Sequence, residues 1–289
     1  MLTTLRRSKP LASIRQVVRM AGDRWHESPQ PWFTPREVRR GAWSSGAMVE
    51  ALRREGICIV AGALEEPRLG WYREAFARLL AEPKLGAPHP AASRGQYGVV
   101  LDLAVEPGFT DLLLDEMILA AVEQYYQRPV FLSVGQAVRL DPVEPSPALK
   151  GWHHDSKGKY VKAMWLLTDT PADGQRMSYL AGTHRARHVW ATYEQTRFTE
   201  EEARRQGQRL VECAGPAGTV ILFDTNGVHR PNRNLGPRRD TLVAAYSTGR
   251  FLHGCRFDPA QVSHLTRWQR AILQRSRHTS PGYGGPPDD

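Results

Sequence analysis

Apolar positions along the chain fall into two textures. Up to about residue 128 they recur every three or four residues, and from Pro129 onward they gather in short runs broken by Gly, Pro and Asp. WSSGAMVEALRREG reads as a helix with Ser44 or Ser45 as its cap and Gly56 just past its end. ICIV (57–60) follows as a short buried strand. In EEPRLGWYREAFARLL, Pro67 sits near a first turn, and Leu69, Tyr72, Phe76 and Leu79 are at helical spacing. Residues 84–98, rich in Pro, Gly and Ala, read as a loop able to cover a site. TDLLLDEMILAAVEQYYQ (110–127) predicts the longest helix, capped by Thr110.

The second texture is a series of β-prone runs: VFLSVGQAVRL, GWHHD, KYVKAMWLLTD, RMSYLAG, QRLVECAG, GTVILFD and RDTLVAAYST. Short strands at this spacing predict a sandwich or jelly roll. Residues 190–207 read as a helical insert. PAQVSHLTRWQRAILQR (259–275) is an amphipathic helix with Val262, Leu265, Trp268 and Ile272 on one side, and SPGYGGPPDD reads as a tail. Without a repeat or a linker, the 289 residues predict one domain. Its parts are a basic N-terminal arm (1–43), a helical part (44–128), a β core (129–250), a C-terminal helix (259–275) and the tail (276–289).

Composition narrows the class. No apolar run approaches the roughly 20 residues that cross a bilayer, so no membrane role is expected. Cys58, Cys213 and Cys255 stand far apart without CxxC spacing, as small buried hydrophobes in a reducing, cytoplasmic setting. The first twenty residues carry five cations and no acid, which suits a basic arm or amphipathic helix. Net charge is +9, yet aromatic residues do not interleave with the Arg runs, and an Arg-rich solvated surface is favoured over nucleic-acid binding. No GxxxxGK[ST] is present to cradle phosphates.

The chemistry concentrates in the strands. An H-x-[DE] triplet alone carries little weight: ten histidines and thirty acids in 289 positions give about one by chance. Context makes the difference. His153 and Asp155 are two apart in a strand and share a face, whereas His154 points to the other. His229 lies between two further strands. Two imidazoles and one carboxylate with the remaining positions open form the facial triad that holds non-haem Fe(II). If 2-oxoglutarate supplies the electrons, its distal carboxylate needs a cation. Arg239 is ten residues past His229, with Thr241 two further on. Arg238 competes, but alternation puts Arg239, Thr241, Val243 and Ala245 on one small, mostly apolar face. His184 and His188 in THRARH read as a surface turn, and Lys162 reads as outward-facing if Trp165 faces inward.

The ordered series REGICIVAGAL, WHHD, KAMWLLTDT, DGQRMSYLAGTH, GPAGTVILFDTNGVHRPNRN and PRRDTLVAAY resembles the phytanoyl-CoA dioxygenase family of Fe(II)/2-oxoglutarate oxygenases over roughly residues 50–250. Gln175 and Ala181 depart from the family's usual turn pattern. The resemblance implies a mainly β fold with flanking helices around a double-stranded β-helix, the cupin-like jelly roll. It implies His153, Asp155 and His229 as iron ligands and catalytic centre, and Arg239 as the 2-oxoglutarate anchor. Trp165 and Gln136 correspond to residues that pack the cosubstrate. It implies Fe(II), 2-oxoglutarate and O2 as cofactors, with succinate and CO2 released. Halogenating relatives replace the carboxylate, so an intact Asp155 implies hydroxylation, desaturation or ring formation. The expected substrate is a small metabolite, plausibly biosynthetic. A non-catalytic jelly-roll binding protein, or an oxygenase acting on nucleic acid or protein, are the competing readings. Substrate and oligomeric state carry no readable code.

Overall fold

The computed structural model describes residues 33–82, 99–103, 106–144, 151–155, 160–185, 195, 197–206, 208–248 and 262–274. Outside these lie most of the basic arm, the 84–98 loop, residues 186–194 with His188, residues 249–261 with Cys255, and the tail. The chain opens with a small ribbon, β1 (Arg39–Arg40) and β2 (Trp43–Ser44), then α1 (Ser45–Glu55), β3 (Ile57–Val60), α2 (Arg68–Ala81) and β4 (Val99–Asp102). Next come α3 (Thr110–Leu113), α4 (Glu116–Tyr126), β5 (Phe131–Leu140), β6 (Trp152–His153), β7 (Tyr160–Leu166) and β8 (Met177–Leu180). The chain continues through β9 (Arg197–Phe198), α5 (Glu200–Arg205), β10 (Leu210–Cys213), β11 (Val220–Asp224), β12 (His229–Pro231), β13 (Arg239–Ser247) and α6 (Arg267–Gln274).

Two antiparallel sheets make the jelly roll. One has six strands in the order β3-β11-β7-β13-β5-β4, and the other has five in the order β10-β8-β12-β6-β9. The larger sheet is apolar on both faces because each face meets a different layer. Val161, Ala163 and Trp165 of β7, with Leu242, Ala244 and Tyr246 of β13, pack against α1, α2 and α4. Met164 and Leu166 of β7, with Ile221 and Phe223 of β11, meet Met177, Tyr179 and Cys213 of the smaller sheet. Strand alternation thus divides one run of residues between two cores. α6 covers the helix-side core through Ile272, preceded by buried Val262 and Leu265, and Trp268 Nε1 donates to Glu123 Oε1 at 3.3 Å. This amphipathic face is therefore satisfied within the chain.

Several elements follow their local chemistry, and some depart from expectation. Ser44 is the α1 cap: its hydroxyl accepts from the Ala47 N–H, and Gly56 closes the helix at φ 82°, a left-handed conformation that glycine adopts without strain. The single helix expected over 110–127 is two. Asp115 breaks it by accepting from the N–H groups of Met117 and Ile118, which starts α4, whereas the cap position of α3 is Phe109 and not Thr110, which is the first residue of the helix. The 190–207 insert holds a two-residue strand before α5, which begins with a reciprocal capping box between Thr199 and Glu202. Strands β3 and β4, from the part that reads as helical, extend the larger sheet on both sides.

Candidate active site

The space between the sheets is lined by cross-strand rows. Val134, Ala245, Lys162, Phe223 and Ile57 stand side by side across five strands. The next row is Gln136, Val243, Met164, Ile221 and Ile59. His153 on β6 and His229 on β12 are direct cross-strand partners on the smaller sheet, and His229 in turn pairs with Tyr179. The imidazole centroids are 4.4 Å apart. Asp155 is held at the end of β6 by its own N–H, which donates to the Thr225 carbonyl at 3.2 Å.

These placements bring three ligand-type groups together. Asp155 Oδ1 is 3.3 Å from His153 Nε2, and Oδ2 is 3.6 Å from His229 Nε2. One ligand atom from each of the three lies within 4.8 Å of the others. His153 Nδ1 is 2.7 Å from the Gly151 carbonyl and His229 Nδ1 is 2.9 Å from the Gly227 carbonyl. A carbonyl can only accept, so each ring donates its Nδ1–H there, and Nε2 is the nitrogen that faces the carboxylate and the position a metal would take. The donor set of two imidazole nitrogens and one carboxylate on one side fits a six-coordinate metal such as Fe(II) with open positions. Phe223 meets the His229 ring edge-on at 5.3 Å and Tyr179 lies parallel to it at 6.4 Å, walling the cluster with aromatic surface. His154 points away and packs edge-on against Phe198 at 5.2 Å.

Burial pushes the Asp155 carboxyl up, but Lys162, His229 and the imidazole hydrogen bonds outweigh it and hold the group well below the usual carboxylate range. Lys162 Nζ donates to Asp155 Oδ2 at 2.5 Å. This reverses the expectation for β7: Lys162 faces the interior, and Trp165, three positions on, lies in the core against the helices. Trp165 is therefore a core aromatic on the wrong face to pack a cosubstrate. Gln136 does face the interior, half-buried beside Val243.

Arg239 opens β13 on the same interior face as Thr241, Val243 and Ala245. Its residue is only 6% exposed, and Nε and Nη1 have no hydrogen-bond partner among the described residues. Burial pushes the guanidinium down to about 10, the Cys213 sulfur opposes this, and the charge of Arg233 adds to it. At neutral pH it is a buried cation with no carboxylate paired to it among the described residues, an arrangement suited to a bound anion. Its rival Arg238 has a side chain 52% exposed and is paired with Asp141 at 2.8 Å. The Thr241 hydroxyl donates to the Val138 carbonyl at 3.2 Å, so its hydrogen is engaged within the sheet.

The turn between β11 and β12 is a positioning device that the strand pattern alone does not reveal. Asp224 Oδ1 accepts from the Asn226 N–H and side-chain amide, both at 2.9 Å, folding the D-T-N-G segment back on itself. Tyr125 of α4 donates to Asp224 Oδ2 at 2.8 Å. Tyr179 donates to the Asp224 carbonyl at 3.0 Å and presses so close that a Cβ on Gly227 would fall 1.8 Å from its hydroxyl. Only glycine fits there, and that same residue supplies the carbonyl that orients His229. His184, expected at a surface turn, is buried beside this cluster, and burial pushes its pKa down. The DTNG sequence, a side-chain-closed turn signal before a histidine, is the mark by which the cluster could be found.

A jelly roll with two imidazoles, a carboxylate and a buried arginine inside defines the non-haem iron, 2-oxoglutarate-dependent oxygenase class. A model of the phytanoyl-CoA dioxygenase (PhyH) family matches residues 52–240, and the chain belongs to that family. It is accordingly an iron- and 2-oxoglutarate-dependent dioxygenase-type enzyme that consumes dioxygen. No curated protein sequence matches it significantly. Similar solved structures include EctD from S. alaskensis with bound Fe (16% identity, 86% of this chain and 90% of that one, TM-score 0.60). The non-haem carbocyclase SnoK from nogalamycin biosynthesis is similar at 20% identity over 76% of this chain and 90% of that one, with TM-score 0.56. The epimerase SnoN, in complex with Fe3+, alpha ketoglutarate and nogalamycin RO, is similar at 19% identity over 85% and 93%, also with TM-score 0.56. These likenesses show the fold. Among the described residues no helix is long and apolar enough to cross a membrane.

Proposed function

We propose that the protein oxidises a small metabolite in a biosynthetic pathway, by hydroxylation or a related hydrogen-removing reaction such as desaturation or ring formation. In this reading His153, Asp155 and His229 hold the iron, and Arg239 receives the distal carboxylate of 2-oxoglutarate. The observation that carries it is Arg239: a buried guanidinium with nitrogens unpaired among the described residues, facing the same interior as the three-residue cluster. A protein that merely bound ligands in a jelly roll would have no use for both together. Bound there, iron with 2-oxoglutarate and dioxygen supplies the oxidising power and yields succinate and CO2.

The chain's own residues bind, orient and exclude water. The two Nδ1–H groups donate to backbone carbonyls and keep each Nε2 lone pair available. Lys162 holds one oxygen of Asp155, which leaves the other to face the metal position. Met164, Val243, Ile221 and Phe223 line the interior with apolar surface that limits water around the reacting centre. A small-molecule substrate agrees with the similar structures, one of which holds nogalamycin RO.

The test is the visible charge-transfer absorption of the protein with Fe(II) and 2-oxoglutarate under argon, followed by substrate-dependent succinate formation across a metabolite pool. Absorption and turnover of a small molecule are the expected results. A protein that gives neither with iron and 2-oxoglutarate present is not this enzyme.

A further inference from the structure

Arg239 is not the only buried guanidinium at its end of the jelly roll. Arg233, four residues past His229, is 8% exposed, and its Nε and Nη1 also have no hydrogen-bond partner among the described residues. Its Nη2 donates to the carbonyl of Asp141 at 3.0 Å. That contact fixes where it sits. Asp141 directly follows Leu140, the cross-strand partner of Arg239, so Arg233 is tethered beside the mouth of the β5–β13 pair from which Arg239 projects. The neighbouring backbone reinforces the placement, because the Val143 N–H donates to the Asn234 carbonyl at 2.8 Å. Gln175, itself fully buried, ties down the same turn through Asn234 and the Gly236 carbonyl, the latter at 3.3 Å.

Among the described residues neither guanidinium forms an ion pair with a carboxylate. The carboxylate of Asp141 bonds the exposed Arg238, and only its carbonyl is offered to Arg233. Two like charges are thus buried near each other, each with an Nε and an Nη1 that have no hydrogen-bond partner among the described residues. Burying a guanidinium away from water is unfavourable; for Arg239 the charge of Arg233 adds to this, and for Arg233 the Asp141 carboxylate offsets only part of it. Burial pushes Arg233 below its ordinary value while the Asp141 charge partly opposes this, and Arg233 in turn helps push Arg239 down. A side chain kept in this condition implies an anion with enough acceptors for two guanidiniums. A carboxylate has two oxygens and about four lone-pair directions, which suffices.

We infer that Arg233 is a second cosubstrate-binding residue, and that the distal carboxylate of 2-oxoglutarate is clamped between the guanidiniums of Arg239 and Arg233. This rests on the reading of the interior as a 2-oxoglutarate site. The clamp leaves the metal end of the cosubstrate to the triad and gives the distal end a double lock. It also makes the site selective for a dicarboxylate over a 2-oxo acid of the same length that ends in a methyl group.

The experiment measures binding by calorimetry under argon, with Mn(II) in place of iron, for the wild type, Arg233→Gln, Arg233→Lys and Arg239→Gln. The ligands are 2-oxoglutarate and 2-oxopentanoate, which share the chelating head and differ at the far end. Arg233→Gln is expected to weaken 2-oxoglutarate about 10- to 100-fold, the loss of charge-assisted hydrogen bonds, and to leave 2-oxopentanoate nearly unchanged. Arg233→Lys, which keeps the charge without the fork, should fall between, and its folding provides a control should Arg233→Gln fail to fold. Binding within twofold of wild type, or an equal loss for both ligands, would overturn the clamp and make Arg233 structural. A wild type that binds no 2-oxoglutarate would overturn the functional reading itself.

Discussion

Replacing Arg239 with Met should make the ligand-free protein more stable while destroying its response to 2-oxoglutarate. The substitution removes a guanidinium that is 6% exposed and has two nitrogens unpaired among the described residues, and leaves a flexible apolar chain on the strand face it shares with Thr241 and Val243. Exchanging buried charge for an apolar side chain of similar size is worth about 1–4 kcal/mol in favour of the folded state. For a chain of this length 1 kcal/mol moves Tm by about 2–4 °C, so the unliganded variant should melt a few degrees higher. The wild type at 2-oxoglutarate one hundred times its Kd gains about 2.7 kcal/mol, a further rise of roughly 5–10 °C, and the variant should show none of it. Arg238→Gln is the control. It removes an exposed pair with Asp141 and should change stability by less than about 0.5 kcal/mol and leave the ligand response intact. Thermal melts with Mn(II) under argon, with and without 2-oxoglutarate, read all three. A clear drop in Tm for ligand-free Arg239→Met, or a surviving ligand shift, would show that the arginine is a structural element and not an anion anchor.

Two further outcomes follow from the cluster. His153→Ala should lose metal affinity by at least tenfold whereas His154→Ala stays within about twofold, since only His153 turns an Nε2 toward Asp155 and His154 packs on Phe198; metal titration decides, and the reverse order would overturn the strand register. Lys162→Met should cost about tenfold in metal affinity by freeing the second oxygen of Asp155, with far-UV circular dichroism unchanged; metal affinity equal to wild type would show that the lysine plays no part in holding the carboxylate.

What the sequence discloses follows the periods that secondary structure imposes. His153, Asp155 and His154 sort correctly because a strand alternates every residue, and Arg239 separates from Arg238 by the same rule. The rule fails when its anchor is wrong. Taking Trp165 as inward inverted the whole of β7 and sent Lys162 outside, because alternation transmits one error to every neighbour. A large aromatic in a sheet with two buried faces gives no sign of which core it joins. The break at Asp115 is hidden by apolar residues on both sides of it, although Asp followed by Glu is itself a start signal. Arg233 lies beyond the end of β12 in an irregular segment, where no period applies, and only its burial reveals it.

The two imidazoles are aimed by carbonyl oxygens of Gly151 and Gly227, not by acidic side chains. A carboxylate in that role could be lost by a single base change, and its own charge would vary with pH. A main-chain oxygen has neither weakness: every residue type has one, and it never ionises. The orientation of the metal-facing nitrogens is therefore written into the path of the backbone. Side chains around the interior can be exchanged to suit a new molecule while the aim of the site stays where the strands put it.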